Sequence, residues 1–247
     1  MSSPNTTQQD APNFTELATA LTQSKKHDWN IARRFRGFMP VVVDVETGGL
    51  NPQTDALLEL AAVLLDVDAN GKIIPVDRIQ VHVHPFEGAN LNPVSMKING
   101  IDIDHPFRGA LDEAEALKQF FQPIRQRVKL NGARRAVLVG HNAAFDLAVI
   151  NAACERTGNK KNPFHPFSTF DTVTLSALAV GETVLAKALE AIGLEWDSAQ
   201  AHGALYDAEQ TAELFCRIVN NFSTDNGRAA MRVHTKSTAE RPEQESE

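Results

Sequence analysis

The chain has 247 residues, 43% of them hydrophobic and 22% charged, which suits one soluble globular domain with ample length for a buried core. No uncharged apolar run approaches the roughly 20 residues that cross a bilayer, and residues 1–10 lack the basic and apolar regions of a secretory signal. A membrane-spanning or exported protein is therefore not expected, and the net charge of −7, taken alone, argues against a nucleic-acid partner. Cys154 and Cys216 fall in helical, apolar contexts and read as reduced core thiols of a cytoplasmic protein.

Residues 1–30 are rich in Ser, Thr, Gln and Asn and are expected to form a mobile polar tail with one weak helix over 16–23. A single domain is expected over 31–222, followed by a second mobile polar tail over 223–247. Residues 41–46 read as a buried strand and 56–67 as a second. Asp68-Ala69-Asn70-Gly71 then turns the chain into a third strand reaching His84, because Asn-Gly takes the positive φ that a hairpin needs. Residues 111–128 carry apolar side chains at helical spacing, and Pro123 predicts a kink among them. Next come a strand over 136–140, a helix over 145–156 and a short strand over 168–171, then helices over 172–180, 184–192 and 203–219. In the last, Ala204, Ala208, Ala212, Phe215 and Val219 line one side, as on a core-facing helix. Three early antiparallel strands followed by strands alternating with helices make an α/β sheet covered on both faces.

Three short clusters of acids and histidines punctuate these elements: Asp44-Val45-Glu46-Thr47, His141-Asn142-Ala143-Ala144-Phe145-Asp146 and His202-Gly203-Ala204-Leu205-Tyr206-Asp207. Asp44 and Glu46 are two apart on a strand, so both point to one face. Taken singly, each acid has an ordinary explanation. Asp44 and Glu46 could face solvent on an edge strand, and Asp146 and Asp207 could meet the positive ends of their helices. A lone His202 is more often structural than catalytic. Together, four carboxylates and a histidine are the material for holding two hard divalent cations beside a general base.

The positive charge is clustered rather than scattered. Arg33, Arg34 and Arg36 form one group with Lys25 and Lys26 nearby; Arg125, Arg127, Lys129, Arg134 and Arg135 form a second; Arg156, Lys160 and Lys161 form a third. Any one such group usually just solvates a surface. Three of them on a chain with a metal-hydrolase constellation point to contact with a phosphate backbone.

The three acidic clusters resemble the motifs Asp-x-Glu, His-Asn-x-x-Phe-Asp and His-x-Ala-x-x-Asp of the DEDD 3′→5′ exonucleases, in the subfamily whose third motif contains His. Longer blocks resemble the ribonuclease T branch of that family over about residues 34–221. They are Arg34-Phe35-Arg36-Gly37-Phe38, Thr54-Asp55-Ala56-Leu57-Leu58-Glu59, Pro85-Phe86-Glu87-Gly88-Ala89-Asn90-Leu91, Asn162-Pro163-Phe164-His165-Pro166-Phe167 and Ala204-Leu205-Tyr206-Asp207.

The resemblance implies a ribonuclease H-like α/β fold, a mixed five-stranded sheet with helices on both faces. It implies a 3′→5′ exoribonuclease that trims the 3′ ends of transfer RNA and other structured RNA precursors, releasing nucleoside 5′-monophosphates. It further implies a homodimer acting on single-stranded 3′ overhangs of RNA, with DNA as a second candidate, and no membrane partner. Asp44, Glu46, Asp146 and Asp207 would hold two Mg²⁺ per subunit, with Mn²⁺ as a substitute, and His202 would take the proton from the attacking water. Phe145 and Phe167 resemble residues that stack on terminal bases. Arg34, Arg36, Lys129, Arg135 and Lys160 are the basic residues expected to guide RNA from one subunit to the acids of the other. The chain departs from the branch where aromatic wedges can stand: it has Leu50 and Ile98, and Val94 at another substrate-side position. Aliphatic side chains wedge but stack less well, which puts the branch's discrimination between terminal bases in question.

An oligoribonuclease or a DNA proofreading exonuclease would share the three motifs, but the blocks at 34–38 and 162–167 argue against both. A non-catalytic nucleic-acid binding module would have no use for a costly acid cluster. A structural cation site would show metal-dependent stability without turnover.

Overall fold

The computed structural model describes residues 30–222; the expected helix over 16–23 and both expected tails lie outside them. The described residues open on the short helix α1 (Ile31–Arg34), capped by the Asn30 side chain, and enter strand β1 (Phe38–Thr47). Strands β2 (Leu57–Val67) and β3 (Ile73–His82) follow as an antiparallel hairpin about the predicted turn, where Asp68 Oδ1 accepts from Asn70 N and Lys72 N and Gly71 adopts φ +78°. A seven-residue helix α2 (Pro93–Asn99) precedes the long helix α3 (Glu113–Leu130), which continues through Pro123. Then come β4 (Arg135–Gly140), α4 (Ala143–Thr157), β5 (Phe164–Asp171), α5 (Thr172–Val180), α6 (Leu185–Ala191) and α7 (Ala204–Asn221).

The sheet runs β3-β2-β1-β4-β5, with β1 antiparallel to β2 and parallel to β4. The mixed five-stranded sheet expected from the resemblance is therefore present. β1 is its central strand, which removes the edge-strand explanation of Asp44 and Glu46. Nine consecutive residues of β2 are buried irrespective of the side they point to, as a strand covered on both faces requires. α3 packs with α4, while α5 and α6 pack with α7, and α7 crosses β1, β2 and β3. Both cysteines are buried free thiols, as the sequence led us to expect.

Two features escaped the sequence. The fifth strand is eight residues long rather than four, because its first half bulges away from β4: Ala136 pairs with Phe164 but Leu138 with Thr169. α2 was not among the expected elements, although its Asn92 cap and Pro at the first turn are ordinary helix starts. Thr172–Ala191 is apolar enough to resemble a membrane span, with hydropathy 1.4 over 20 residues, yet it folds as two short helices parted at Gly181.

Candidate active site

The sheet's central strand carries the site at its C-terminal end. Asp44 and Glu46 share the face covered by α7, and Asp207 in the first turn of α7 points toward them. One carboxylate oxygen from each of the three lies within 4.8 Å of the others. Asp146, the fourth expected acid, stands just beside this trio. It is 5% exposed, in the first turn of α4, and its Oδ1 accepts from the amide of Val45 at 3.1 Å. Val45 separates Asp44 from Glu46, so Asp146 is stapled to the strand between them. A Cβ on Gly140 would come within 3.2 Å of Asp146 Oδ2, so the last residue of β4 has to be small.

The electrostatics of this group are those of a cation site. Burial, and then repulsion from Asp146, Asp207, Glu46 and Glu59, pushes the Asp44 carboxyl well above the usual carboxylate range. Burial followed by Asp207, Glu59 and Asp146 raises Glu46 to about 8. Burial raises Asp146 to about 7 against the opposing amide hydrogen bonds, and raises Asp207 against the stabilising presence of His202. Four acids held together against their own repulsion need compensating charge. Asp207 Oδ1 is buried and has no hydrogen-bond partner, which leaves a lone pair free for a metal ion. A hard oxygen-only donor set of this kind fits Mg²⁺ or Mn²⁺.

The expected histidine is near the acids but not among them. His202 is exposed at φ +66°, and its backbone N–H donates to Asp207 Oδ2 at 3.2 Å. The other motif histidine, His141, is a clasp: Nδ1 meets Thr172 Oγ1 and Nε2 meets the Thr183 carbonyl, both at 3.0 Å. Burial holds its pKa below the ordinary histidine value, which suits a neutral structural ring.

The expected wedge residues gather at the end of β1. Gly48 N–H donates to Ala56 O, Asn92 N–H donates to Gly48 O, and Asn99 Nδ2 donates to Thr47 O, tying α2 to the strand that bears the acids. A Cβ on Gly48 would meet Asn90 O at 2.6 Å, so this close approach demands glycine. Leu50 is 83% exposed beside it, and Val94 and Ile98, one helical turn apart on α2, are also exposed. Phe145 is half-buried against the core.

Phe167 is placed elsewhere. Its ring meets His165 edge-on at 4.6 Å, and His165 in turn meets Phe38 at 5.5 Å. Phe38 starts β1, six residues before Asp44, about 20 Å along a strand. Phe167 is therefore a neighbour of the basic residues, not of its own chain's acids. Because β1 and β4 run parallel with Phe38 opposite Arg135, the first and second basic groups meet at this end of the sheet. Arg134 lies over the Phe38 ring at 5.2 Å and donates to the Arg36 carbonyl, and Arg125 donates to Lys161 O, which brings in the third group. Arg36, Lys129 and Lys160 are exposed, while Arg135 Nη1 donates to Phe164 O. Two arginines also make bonds within the protein. Arg34 Nη2 donates to Val219 O on α7, and Arg156 pairs with buried Glu113 at 2.6 Å while stacking on Phe86.

An exonuclease family model, RNase_T, matches residues 41–215, which contain every one of the clustered acids. The chain belongs to the ribonuclease T exonuclease family. It is 52% identical to the Ribonuclease T of Histophilus somni (strain 129Pt) over 210 residues, 85% of this chain and 96% of that one. It is 56% identical to the Ribonuclease T of Vibrio campbellii (strain ATCC BAA-1116) over 198 residues, 80% and 92% of the two. Among solved structures, E. coli Exonuclease I in complex with a dT13 oligonucleotide shares the fold, with a TM-score of 0.58 at 18% identity. That match covers 78% of this chain and 42% of Exonuclease I. The fold is thus ribonuclease H-like, and family membership makes the protein a 3′→5′ exoribonuclease of a class that uses divalent metal ions.

Proposed function

We propose that the protein trims the 3′ ends of transfer RNA and other structured RNA precursors, one nucleoside 5′-monophosphate at a time, as a cytoplasmic homodimer. Asp44, Glu46, Asp146 and Asp207 hold two Mg²⁺ per subunit, with Mn²⁺ able to substitute. Bound there, the ions would neutralise the charge of the phosphodiester and make water easier to ionise. His202, exposed beside Asp207, would accept the proton of the attacking water. Asp146 keeps β1 in place through the Val45 amide, so Asp44 and Glu46 stay aimed at the same point. Leu50, Val94, Ile98 and Phe145 border the path of the terminal bases, and the buried free thiols suit a reducing compartment.

The observation that carries this reading is the unpartnered, buried Asp207 Oδ1 among three converging carboxylates. The dimer is supported by the separation of the two chemistries. Arg36, Lys129, Arg135, Lys160 and Phe167 stand at the far end of the sheet from their own acids, where they serve a neighbouring subunit better than their own.

The decisive assay uses end-labelled RNA and DNA of varied 3′ sequence, with Mg²⁺ and with chelator. Stepwise, Mg²⁺-dependent release of mononucleotides from RNA is expected. Binding without turnover in Mg²⁺ would identify a nucleic-acid binding module, and metal-dependent stability without turnover a structural cation site.

A further inference from the structure

β2 carries a carboxylate that none of these roles uses. Glu59 is 5% exposed and lies in register with Glu46 across the antiparallel β1–β2 ladder. Residues directly opposed in such a ladder point to the same face with Cβ atoms about 5 Å apart. Glu59 therefore shares the face of Asp44 and Glu46, beneath α7. Like charges in that position destabilise a sheet, and burial removes the water that would screen them.

Among the described residues no cation closes on Glu59 at ion-pair distance, although Arg108 is near enough to feel its charge and His82 stands opposite it in the β2–β3 ladder. The Arg108 guanidinium is directed to the carbonyls of Leu58, at 2.6 Å, and Val83, at 3.1 Å. Gln80 Nε2, a neutral donor, bonds Glu59 Oε1 and fixes the side chain on the neighbouring strand. A second observation points to the same place. The unpartnered buried side-chain oxygens among the described residues are Asp207 Oδ1 and Thr211 Oγ1. They lie four residues apart, on one side of the helix that covers β1 and β2, and Thr211 is only 1% exposed. Excess negative charge and unused oxygens thus face each other across one seam.

We propose that Glu59 is a positioning residue of the cation site: its carboxylate holds Glu46 toward Asp44 and Asp207 and adds a fifth negative charge to the attraction for the metal ions. The proposal rests on the reading of Asp44, Glu46 and Asp207 as cation ligands. Repulsion from β2 drives the Glu46 carboxylate outward, while Gln80 keeps Glu59 from retreating. Without cations the fifth charge only adds to the repulsion. With cations bound, the same charge is attractive. The effect on stability therefore reverses sign with metal, which a residue that merely packs does not do.

Glu59→Gln keeps the shape and the contact with Gln80 while removing the charge. In the full-length protein its Mg²⁺ affinity by calorimetry is expected to fall roughly tenfold or more. Its thermal midpoint in chelator should stay level or rise, and the gain on saturating Mg²⁺ should shrink. Glu59→Met removes the charge without needing a polar partner, and serves in the same measurements if the glutamine variant does not fold. Asp44→Asn is measured alongside. If Asp44→Asn weakens Mg²⁺ binding and neither Glu59 variant does, Glu59 is structural and the proposal is wrong. Midpoints that drop equally with and without Mg²⁺ overturn it too. If Mg²⁺ affinity is unchanged in all the variants, the cation site itself is misassigned and Glu59 falls with it.

Discussion

Asp146 Oδ1 accepts the amide proton of Val45, the one residue that separates Asp44 from Glu46. A single carboxylate thus serves as both an anchor for the strand and a negative charge for the site. Asp146→Asn separates the two jobs, because an asparagine oxygen still accepts from Val45 while the charge is gone. Turnover on end-labelled RNA should vanish in a protein whose circular dichroism is that of wild type. A rate within about tenfold of wild type would remove Asp146 from the metal site.

Without metal, stability should depend on pH in an unusual direction. Glu46 rises to about 8 and Asp146 to about 7, whereas unfolded carboxylates ionise near about 4. Groups with raised folded-state pKa values give their full contribution when protonated in both states. That contribution is lost as pH climbs from the unfolded toward the folded values. The thermal midpoint in chelator should therefore fall between about pH 4 and pH 8, and saturating Mg²⁺ should restore it most at the alkaline end. A midpoint in chelator that rises steadily across this window contradicts the clustered acids.

His202 stands exposed in a left-handed conformation, with its backbone N–H donating to Asp207 Oδ2, and we propose it as the base. His202→Ala should lower the maximal rate by roughly 10²–10⁴-fold with RNA affinity largely kept. Lost affinity with an unchanged maximal rate would make it a binding residue.

The basic end of the sheet can be tested by mixing subunits. One parent carries Asp146→Asn; the other carries Arg36→Asn, Lys129→Gln and Arg135→Gln, with Asn chosen at 36 because that residue sits at φ +59°. Mixed dimers combine an intact basic end with intact acids, so activity should exceed that of both parents. Verified heterodimers with only the parents' average activity would show that each subunit feeds itself.

Arg156 tests a structural role. Its guanidinium closes on Glu113 through two nitrogens, at 2.6 and 3.1 Å, and bonds the Pro52 carbonyl. Arg156→Met leaves Glu113 buried without its partner, and urea denaturation should show a loss of about 3–5 kcal/mol. The maximal rate of the folded fraction should change little, since Arg156 lies ten residues along α4 from Asp146, about 15 Å, and any effect should come through the Pro52 loop that carries Leu50.

The acids were legible in the sequence because their spacing is local. Asp-x-Glu on a strand shares a face by pleat alone, and Asp146 and Asp207 each open a helix, so the elements could be read and the site assembled from them. Phe167 was harder. Its motif resembled a base-stacking block, but its position depends on the bulge in β5, which no periodicity announces. Arg34 and Arg156 were counted among the basic groups, and their bonds to the Val219 carbonyl and to buried Glu113 were not foreseen, because a charge run does not show which of its members meets a carbonyl or a glutamate. Glu59 lay within a recognised block and was passed over, since its significance comes from a cross-strand register rather than from its neighbours in the chain.

The parallel register of β1 and β4 has a practical consequence at the bench. With a pI near 5.6, the protein carries net negative charge at neutral pH and by bulk reckoning should ignore polyanions. Yet Phe38 opposite Arg135 gathers the arginines and lysines of three sequence segments on one end of the molecule. A heparin column samples that end alone, so it should retain the protein well above its isoelectric point and release it with salt, while an anion exchanger binds the same molecule by its other pole.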